Sequence, residues 1–245
     1  MRPYKDRFYG DRDARTAHAA NTILALTLDL VPPVRSAIDV GCGVGTWLSV
    51  LRERGVATVR GLDGAWVRRD LLVIPGNCFL EVDLKEPIPE LGRFDLAISL
   101  EVAEHLPPER AAAFVGSLAD LSDVVLFSAA IPHQGGKHHV NEQWQDYWAG
   151  LFVARGYAAL DAIRPRIWND DAIAFWYRQN VLVYVKQERL GELKTADGAL
   201  ASSPELPLRV VHPGQYMRKI PDSIGAGWKM FRRGVRASVR RGAGR

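Results

Sequence analysis

AIDVGCGVGTWL, residues 37–48, is a short apolar run that carries an acid and then breaks into glycines at positions 41, 43 and 45. It reads as a buried strand, a tight turn and a helix start. Gly41, Gly43 and Gly45 remove Cβ atoms where a backbone must turn sharply or let a ligand approach. The following WLSVLRERG has helical spacing, with Gly55 as its stop. A turn of this kind at the carboxyl end of a strand is a nucleotide-type pocket.

Working outward, the strand and helix signals alternate. Apolar positions from Ala17 to Leu30 follow helical spacing, and Pro32 and Pro33 end that helix, whereas residues 1–20 show no clean period. Tyr4, Phe8 and Tyr9 form an aromatic cluster that either folds over a ligand as a lid or pins the segment to the body. ATVRGLD reads as a second strand ending at Asp63, NCFLEVDL as a third ending at Asp83, and FDLAISL as a fourth ending at Ser99 and Leu100. PPERAAAFVGSLADL is a helix with proline near its start, DVVLFSAAI a fully buried fifth strand, NEQWQDYWAGLFVARG a helix, and GYAALDAI and NVLVYV the last strands. Such alternation predicts a doubly wound, Rossmann-like α/β sheet. The expected organisation is a main domain with its N-terminal lid and helix over residues 1–186, a polar linker or extension over 187–212, and a basic tail over 213–245.

The chain has 245 residues, 47% hydrophobic and 24% charged, which suits one globular domain with some extra length. Cys42 and Cys78 are the only cysteines, and one lies inside the glycine turn, so a reducing compartment is expected rather than a disulfide framework. The amino-terminal twenty residues lack an apolar core for export, and no apolar run approaches a bilayer span, which together read as cytoplasmic. The net charge of +4 divides unevenly, with +8 on residues 213–245 and −4 on the preceding 212.

Two ligand classes compete for the glycine turn. A dinucleotide turn wants G-x-G-x-x-G facing a pyrophosphate, but here the order is G-x-G-x-G and Thr46 stands where the third glycine belongs. Asp39, two residues before the turn, suits a ligand's ammonium group and repels a pyrophosphate. Asp63, eighteen residues past Gly45, lies where a carboxylate accepts both ribose hydroxyls.

On these residues the chain resembles the class I S-adenosylmethionine-dependent methyltransferases: AIDVGCGVGTWL is similar to their first motif, with Asp63 in GLDG, Asp83 in VDL and SLEVAEHL at 99–106 in matching order over about residues 20–185. LFSAAIPHQGGKHHVNEQWQDYW and IWNDDAIAFWYRQNVLVYV resemble a bacterial subgroup associated with polysaccharide and glycoconjugate gene clusters. The resemblance implies a seven-stranded sheet of order 3-2-1-4-5-7-6 with the last strand antiparallel, and S-adenosylmethionine as cofactor with S-adenosylhomocysteine as product. It also implies that Gly41, Cys42, Gly43 and Gly45, with Asp39, lie against the methionine part, that Asp63 holds the ribose, that Asp83 and Leu84 contact the adenine, and that Leu100 and Glu101 lie beside the sulfonium.

The expected activity is methylation of a sugar or glycoconjugate hydroxyl. A natural-product O- or N-methyltransferase is the alternative, and an NAD-type oxidoreductase or a non-catalytic cofactor-binding module would be a different class. A hydroxyl is a poor nucleophile and needs a base. IPHQGGKHHVNEQWQDYW supplies candidates, its Gly135 and Gly136 making it pliable. His139 is the expected base, Glu142 its orienting partner, and His133 a further catalytic candidate. Asn141, Trp144, Tyr177 and Arg178 are the expected acceptor contacts, although Asn141 also suits a helix cap and the aromatic residues suit the core. His133, His138, His139 and Glu142 have the chemistry of metal ligands, but adjacent histidines point apart and no H-x-x-x-H spacing supports them, so no metal is expected. His105 is read as structural. In GAGWKMFRRGVRASVRRGAGR, Trp228, Phe231, Val235 and Val239 recur at helical intervals among arginines, which suits an anionic membrane surface at its cytoplasmic face. A solvated tail or nucleic-acid contact would explain the same residues, and no nucleic-acid partner is expected.

Overall fold

The computed structural model describes residues 7–194, 208–220 and 227, with side chains from residue 16 onward. The seven strands form one sheet of order β3-β2-β1-β4-β5-β7-β6. They are β1 (Ser36–Val40), β2 (Thr58–Asp63), β3 (Phe79–Glu81), β4 (Leu96–Leu100), β5 (Val124–Ser128), β6 (Tyr157–Leu160) and β7 (Leu182–Lys186). Strands β1 to β5 run parallel to one another, and β7 is antiparallel to both β5 and β6, as the family resemblance implied.

Helices cover both faces, so the central strands read as continuous apolar runs. Ile98, Leu126 and Val183 pack with Ile23 and Leu24 of α1 (Arg7–Leu30), Leu48 and Leu51 of α2 (Thr46–Glu53) and Ile167 of α5 (Arg164–Ile167). Ala97, Phe127 and Tyr184 turn the other way and meet Phe114 and Leu118 of α3 (Ala111–Leu121) and Phe152 of α4 (Gln145–Val153). Phe152 stacks on Tyr184 with ring centroids 3.9 Å apart. The period-two alternation leaves Asp39 as the one acid within β1, 2% exposed.

Several boundaries differ from the sequence reading for physical reasons. Helix α1 starts at Arg7 rather than Ala17, because its first turns are polar and carry no apolar period. The aromatic lid lies outside what is described: Tyr4 entirely, and the side chains of Phe8 and Tyr9. Strand β3 stops at Glu81; Asp83 instead uses its carboxylate to accept the Lys85 N–H at 3.0 Å and forms a turn. Helix α4 starts at Gln145 rather than Asn141, because the Val140, Asn141 and Gln143 amides are spent on carbonyls of Glu104 and Ala130. Asn141 is therefore not its cap. The short helices α5 and α6 (Phe175–Asn180) are too brief to leave a period in the sequence.

Two compact units are distinguished, residues 1–210 and 211–245. In the first, Leu190 and Leu193 of the expected linker pack on the core and the Lys194 N–H reaches the Leu30 carbonyl. In the second, α7 (Pro213–Lys219) is capped by His212, whose Nδ1 accepts the Gly214 N–H at 2.9 Å. The amphipathic pattern of residues 228–239 lies outside the described residues. No described helix is long and apolar enough to cross a membrane.

Candidate active site

All three glycines of the turn have positive φ: +92° at Gly41, +55° at Gly43 and +90° at Gly45, the last capping α2. Two of them also lack room for a side chain. A Cβ on Gly41 would lie 2.3 Å from Val102 Cγ2, and one on Gly45 would lie 2.8 Å from Ile74 Cγ1. The Gly41 and Cys42 amides both donate to the Leu62 carbonyl, which ties the turn to the end of β2. Cys42 is buried, and its thiol is pushed far up by burial and by the charges of Asp39 and Asp63. It is a packing residue, not a nucleophile.

Asp63, the last residue of β2, accepts the Gly43 N–H on Oδ2 and the Gly64 N–H on Oδ1, both at 2.7 Å. Burial raises its pKa against those hydrogen bonds and one from Trp66. Each carboxylate oxygen retains a further lone pair for a hydroxyl. Asp39 is more extreme: Oδ2 has no hydrogen-bond partner, and burial followed by the Asp63 charge holds its pKa well above the carboxylate range. An ammonium group would supply what that oxygen lacks, whereas a pyrophosphate would meet two buried acids. The residues present therefore fit the amino-acid and ribose parts of S-adenosylmethionine. Asp83 is exposed, Leu84 is buried beside it, and Leu100 closes β4.

Glu101 follows β4 with φ +57°, a left-handed conformation uncommon for a side-chain-bearing residue. The Ser128 carbonyl and hydroxyl both accept its N–H. Its buried carboxylate accepts Gln134 Nε2 at 2.7 Å and Asn180 Nδ2 at 3.1 Å, while Asn180 Nδ2 also reaches Gln134 Oε1 at 2.8 Å. This network joins the ends of β4 and α6 to the loop after β5. Burial still raises the Glu101 pKa.

That loop is pinned rather than pliable, which corrects the sequence reading. The Glu142 carboxylate accepts the His133 N–H at 2.8 Å and the Gly135 N–H at 2.9 Å, and its Oε1 lies 2.9 Å from His139 Nδ1. Gly136 is a close-approach glycine, since a Cβ there would lie 2.1 Å from His139 Nε2. The Val140 and Asn141 amides donate to the Glu104 carbonyl at 2.9 and 3.0 Å. His139 is thereby held over Glu104, while His133 points outward, exposed, with φ +66°.

The expected acceptor contacts are scattered. Asn141 is buried with Nδ2 unpartnered, and its Oδ1 accepts from Gln143. Trp144 lies under Arg209 at 5.9 Å, Tyr177 packs edge-on against Trp47 at 5.4 Å, and Arg178 is buried with Nη1 on the Trp168 carbonyl and Asp171. Sequence reasoning missed Glu104, Gln134 and Trp66, and favoured a structural role for His105. The available signal was the pattern Glu101-x-x-Glu104-His105 directly after β4, in which two acids and a histidine share one short turn.

A model described as a methyltransferase domain matches residues 12–161, more than half of the chain. No curated protein matches in sequence. Among solved structures, DesVI from Streptomyces venezuelae aligns with a TM-score of 0.55 at 18% identity, covering 74% of this chain and 95% of its own. The methyltransferase complexed with the Trm112 activator of Haloferax volcanii aligns at 0.53 and 18%, covering 74% and 93%. CalS10 from Micromonospora echinaspora aligns at 0.50 and 16%, covering 75% and 97%. At these identities the likeness is one of fold.

Proposed function

Since the chain belongs to the methyltransferase domain family, as a class I S-adenosylmethionine-dependent methyltransferase, we propose that it methylates a hydroxyl of a sugar or sugar-bearing intermediate. The observation that carries the reading is the His139–Glu142 pair beside the Glu101 network at the carboxyl ends of β4 and β5. A carboxylate only accepts, so the proton of neutral His139 sits on Nδ1 and Nε2 presents its lone pair. An amine acceptor would need no such group, whereas an alcohol does. CalS10, one of the fold neighbours, is described as an amino pentose methyltransferase, which is in keeping with a saccharide acceptor.

S-adenosylmethionine supplies an electrophilic methyl group on a sulfonium and leaves as S-adenosylhomocysteine. The protein's part is positioning and proton transfer. Asp39 takes the ammonium end, Asp63 the ribose, and the strained Glu101 backbone fixes the wall between donor and acceptor. With the cofactor and acceptor bound, methyl transfer would leave the hydroxyl proton to be taken by His139 Nε2. Glu142 holds the ring and stabilises the resulting imidazolium. The +8 tail is the part we assign to an anionic membrane surface.

The test is a mass-spectrometric screen of sugar-containing cell extract for products heavier by one CH2, followed by the His139→Ala variant on the product found. Loss of turnover with retained S-adenosylhomocysteine binding is expected. Full turnover by the variant would remove the base assignment, and a product methylated on nitrogen would remove the hydroxyl reading.

A further inference from the structure

We infer that Glu104, His105 and His139 form a site for one divalent transition-metal cation on the acceptor side of the cleft. One ligand atom from each of the three lies within 4.8 Å of the other two. Metal–ligand bonds of about 2.0–2.2 Å to imidazole nitrogen and carboxylate oxygen require closure by roughly 1 Å, within reach of side-chain rotation. Two histidines and one carboxylate suit Mn2+, Co2+, Fe2+ or Zn2+ better than Mg2+ or Ca2+, which favour all-oxygen sets.

The decisive observation is Glu104. Its side chain is 1% exposed, and neither carboxylate oxygen has a hydrogen-bond partner. Buried carboxylates are ordinarily satisfied by donors or by a cation. An ion pair with His139 does not resolve this, since His139 Nε2 stands 4.0 Å from Glu104 Oε1, beyond hydrogen-bond distance. The carboxylates of Glu101 and Glu142 lie near that of Glu104, so three acids gather around the two imidazoles. A divalent cation supplies the missing positive charge.

The surroundings are those of oriented ligands. Metal-binding histidines generally give their other nitrogen to a carboxylate or carbonyl. His139 Nδ1 lies 2.9 Å from Glu142 Oε1, and His105 Nδ1 lies 3.3 Å from the His138 carbonyl. The backbone bonds from Val140 and Asn141 to the Glu104 carbonyl fix the loop that brings His139 to the turn, and Gly136 leaves the space its ring occupies. Glu104 is buried while His105 is exposed, so the site has a closed floor and an open side through which an ion and an acceptor oxygen enter. The expected absence of a metal rested on the adjacency of His138 and His139 and the lack of an H-x-x-x-H spacing; His133 and His138 are exposed and stand outside this cluster.

The inference deepens the hydroxyl reading, on which its chemical purpose rests. It keeps the hydroxyl acceptor and replaces the free-base role given to His139 above: with the cation bound, His139 Nε2 is a ligand, and a hydroxyl at the open position loses its proton to solvent because the cation lowers its pKa. Binding itself is measured without acceptor, so failure of either idea is separable from the other.

The experiment uses full-length untagged protein, treated with chelator and dialysed, then titrated with Co2+ while its visible absorption is followed. A saturable band at one equivalent, displaced by Zn2+, is expected. Glu104→Gln and His105→Ala should each weaken Co2+ binding at least ~tenfold, with S-adenosylhomocysteine affinity measured on the same samples as the check that both fold. His105 is exposed, so its variant keeps the test informative if Glu104→Gln does not fold. No saturable band in the wild-type protein, or unchanged Co2+ affinity in a folded variant, overturns the site.

Discussion

The Gly43 amide donates to Asp63 Oδ2 at 2.7 Å, so the turn after β1 and the acid that ends β2 are one unit rather than two adjacent features. Asp63→Ala removes the anchor of the turn and, on the proposed reading, the acceptor for the ribose. Hydrogen bonds to charged groups contribute about 1.5–3 kcal/mol, so S-adenosylhomocysteine affinity should fall by roughly tenfold to a hundredfold in calorimetry. Unchanged affinity would detach Asp63 from the cofactor.

Gly41 has neither the φ nor the space for a side chain. Gly41→Ala places a Cβ 2.3 Å from Val102 Cγ2 at φ +92°. We expect a loss of about 1–3 kcal/mol in denaturant unfolding, from strain and overpacking together. Val102→Ala in the same chain should recover the steric part and leave the backbone part; full recovery would show that φ contributes nothing.

Asp39 gives the ligand-free protein a pH signature. Its folded-state pKa is raised, so its contribution to stability is complete below the unfolded value of about 3.9 and is lost as pH rises through the folded value. Asp39→Asn should therefore gain stability relative to wild type as pH rises from 4 towards neutrality, read as a widening difference in urea midpoints. On the proposed reading the same variant should also bind S-adenosylmethionine more weakly, since Asp39 is the group assigned to its ammonium. A difference that narrows with rising pH would contradict the burial argument.

Gly136 tests the loop. In Gly136→Ala the new methyl group occupies the place of the His139 ring, 2.1 Å from Nε2. Turnover should fall about as far as in His139→Ala, while cofactor affinity stays the same. Steady-state kinetics with S-adenosylhomocysteine calorimetry separates the two, and a fully active Gly136→Ala enzyme would show that His139 need not stay where it is.

The glycine turn was legible in the sequence because it is local. A strand, a turn and a helix follow one another over twelve residues, and the three positive φ values each select glycine. The alternation of strands and helices made the doubly wound sheet legible, while its strand order came from the family resemblance. The His139–Glu142 pairing was legible as two groups three residues apart, but the approach of His139 to Glu104 was not, because it is assembled by backbone bonds with no residue preference. Glu104 and His139 meet only through two amides donating to one carbonyl. Gln134 and Asn180 converge on Glu101 from segments 33 and 79 residues away, and neither carries a local pattern.

The most direct measurement is calorimetric titration of the purified protein with S-adenosylhomocysteine and, separately, with NAD. Saturable one-to-one binding of S-adenosylhomocysteine, with a dissociation constant on the order of micromolar, and no heat of binding with NAD are predicted. Saturation by NAD with none by S-adenosylhomocysteine would contradict the reading of the glycine turn and of Asp39, and with it the assignment of the donor.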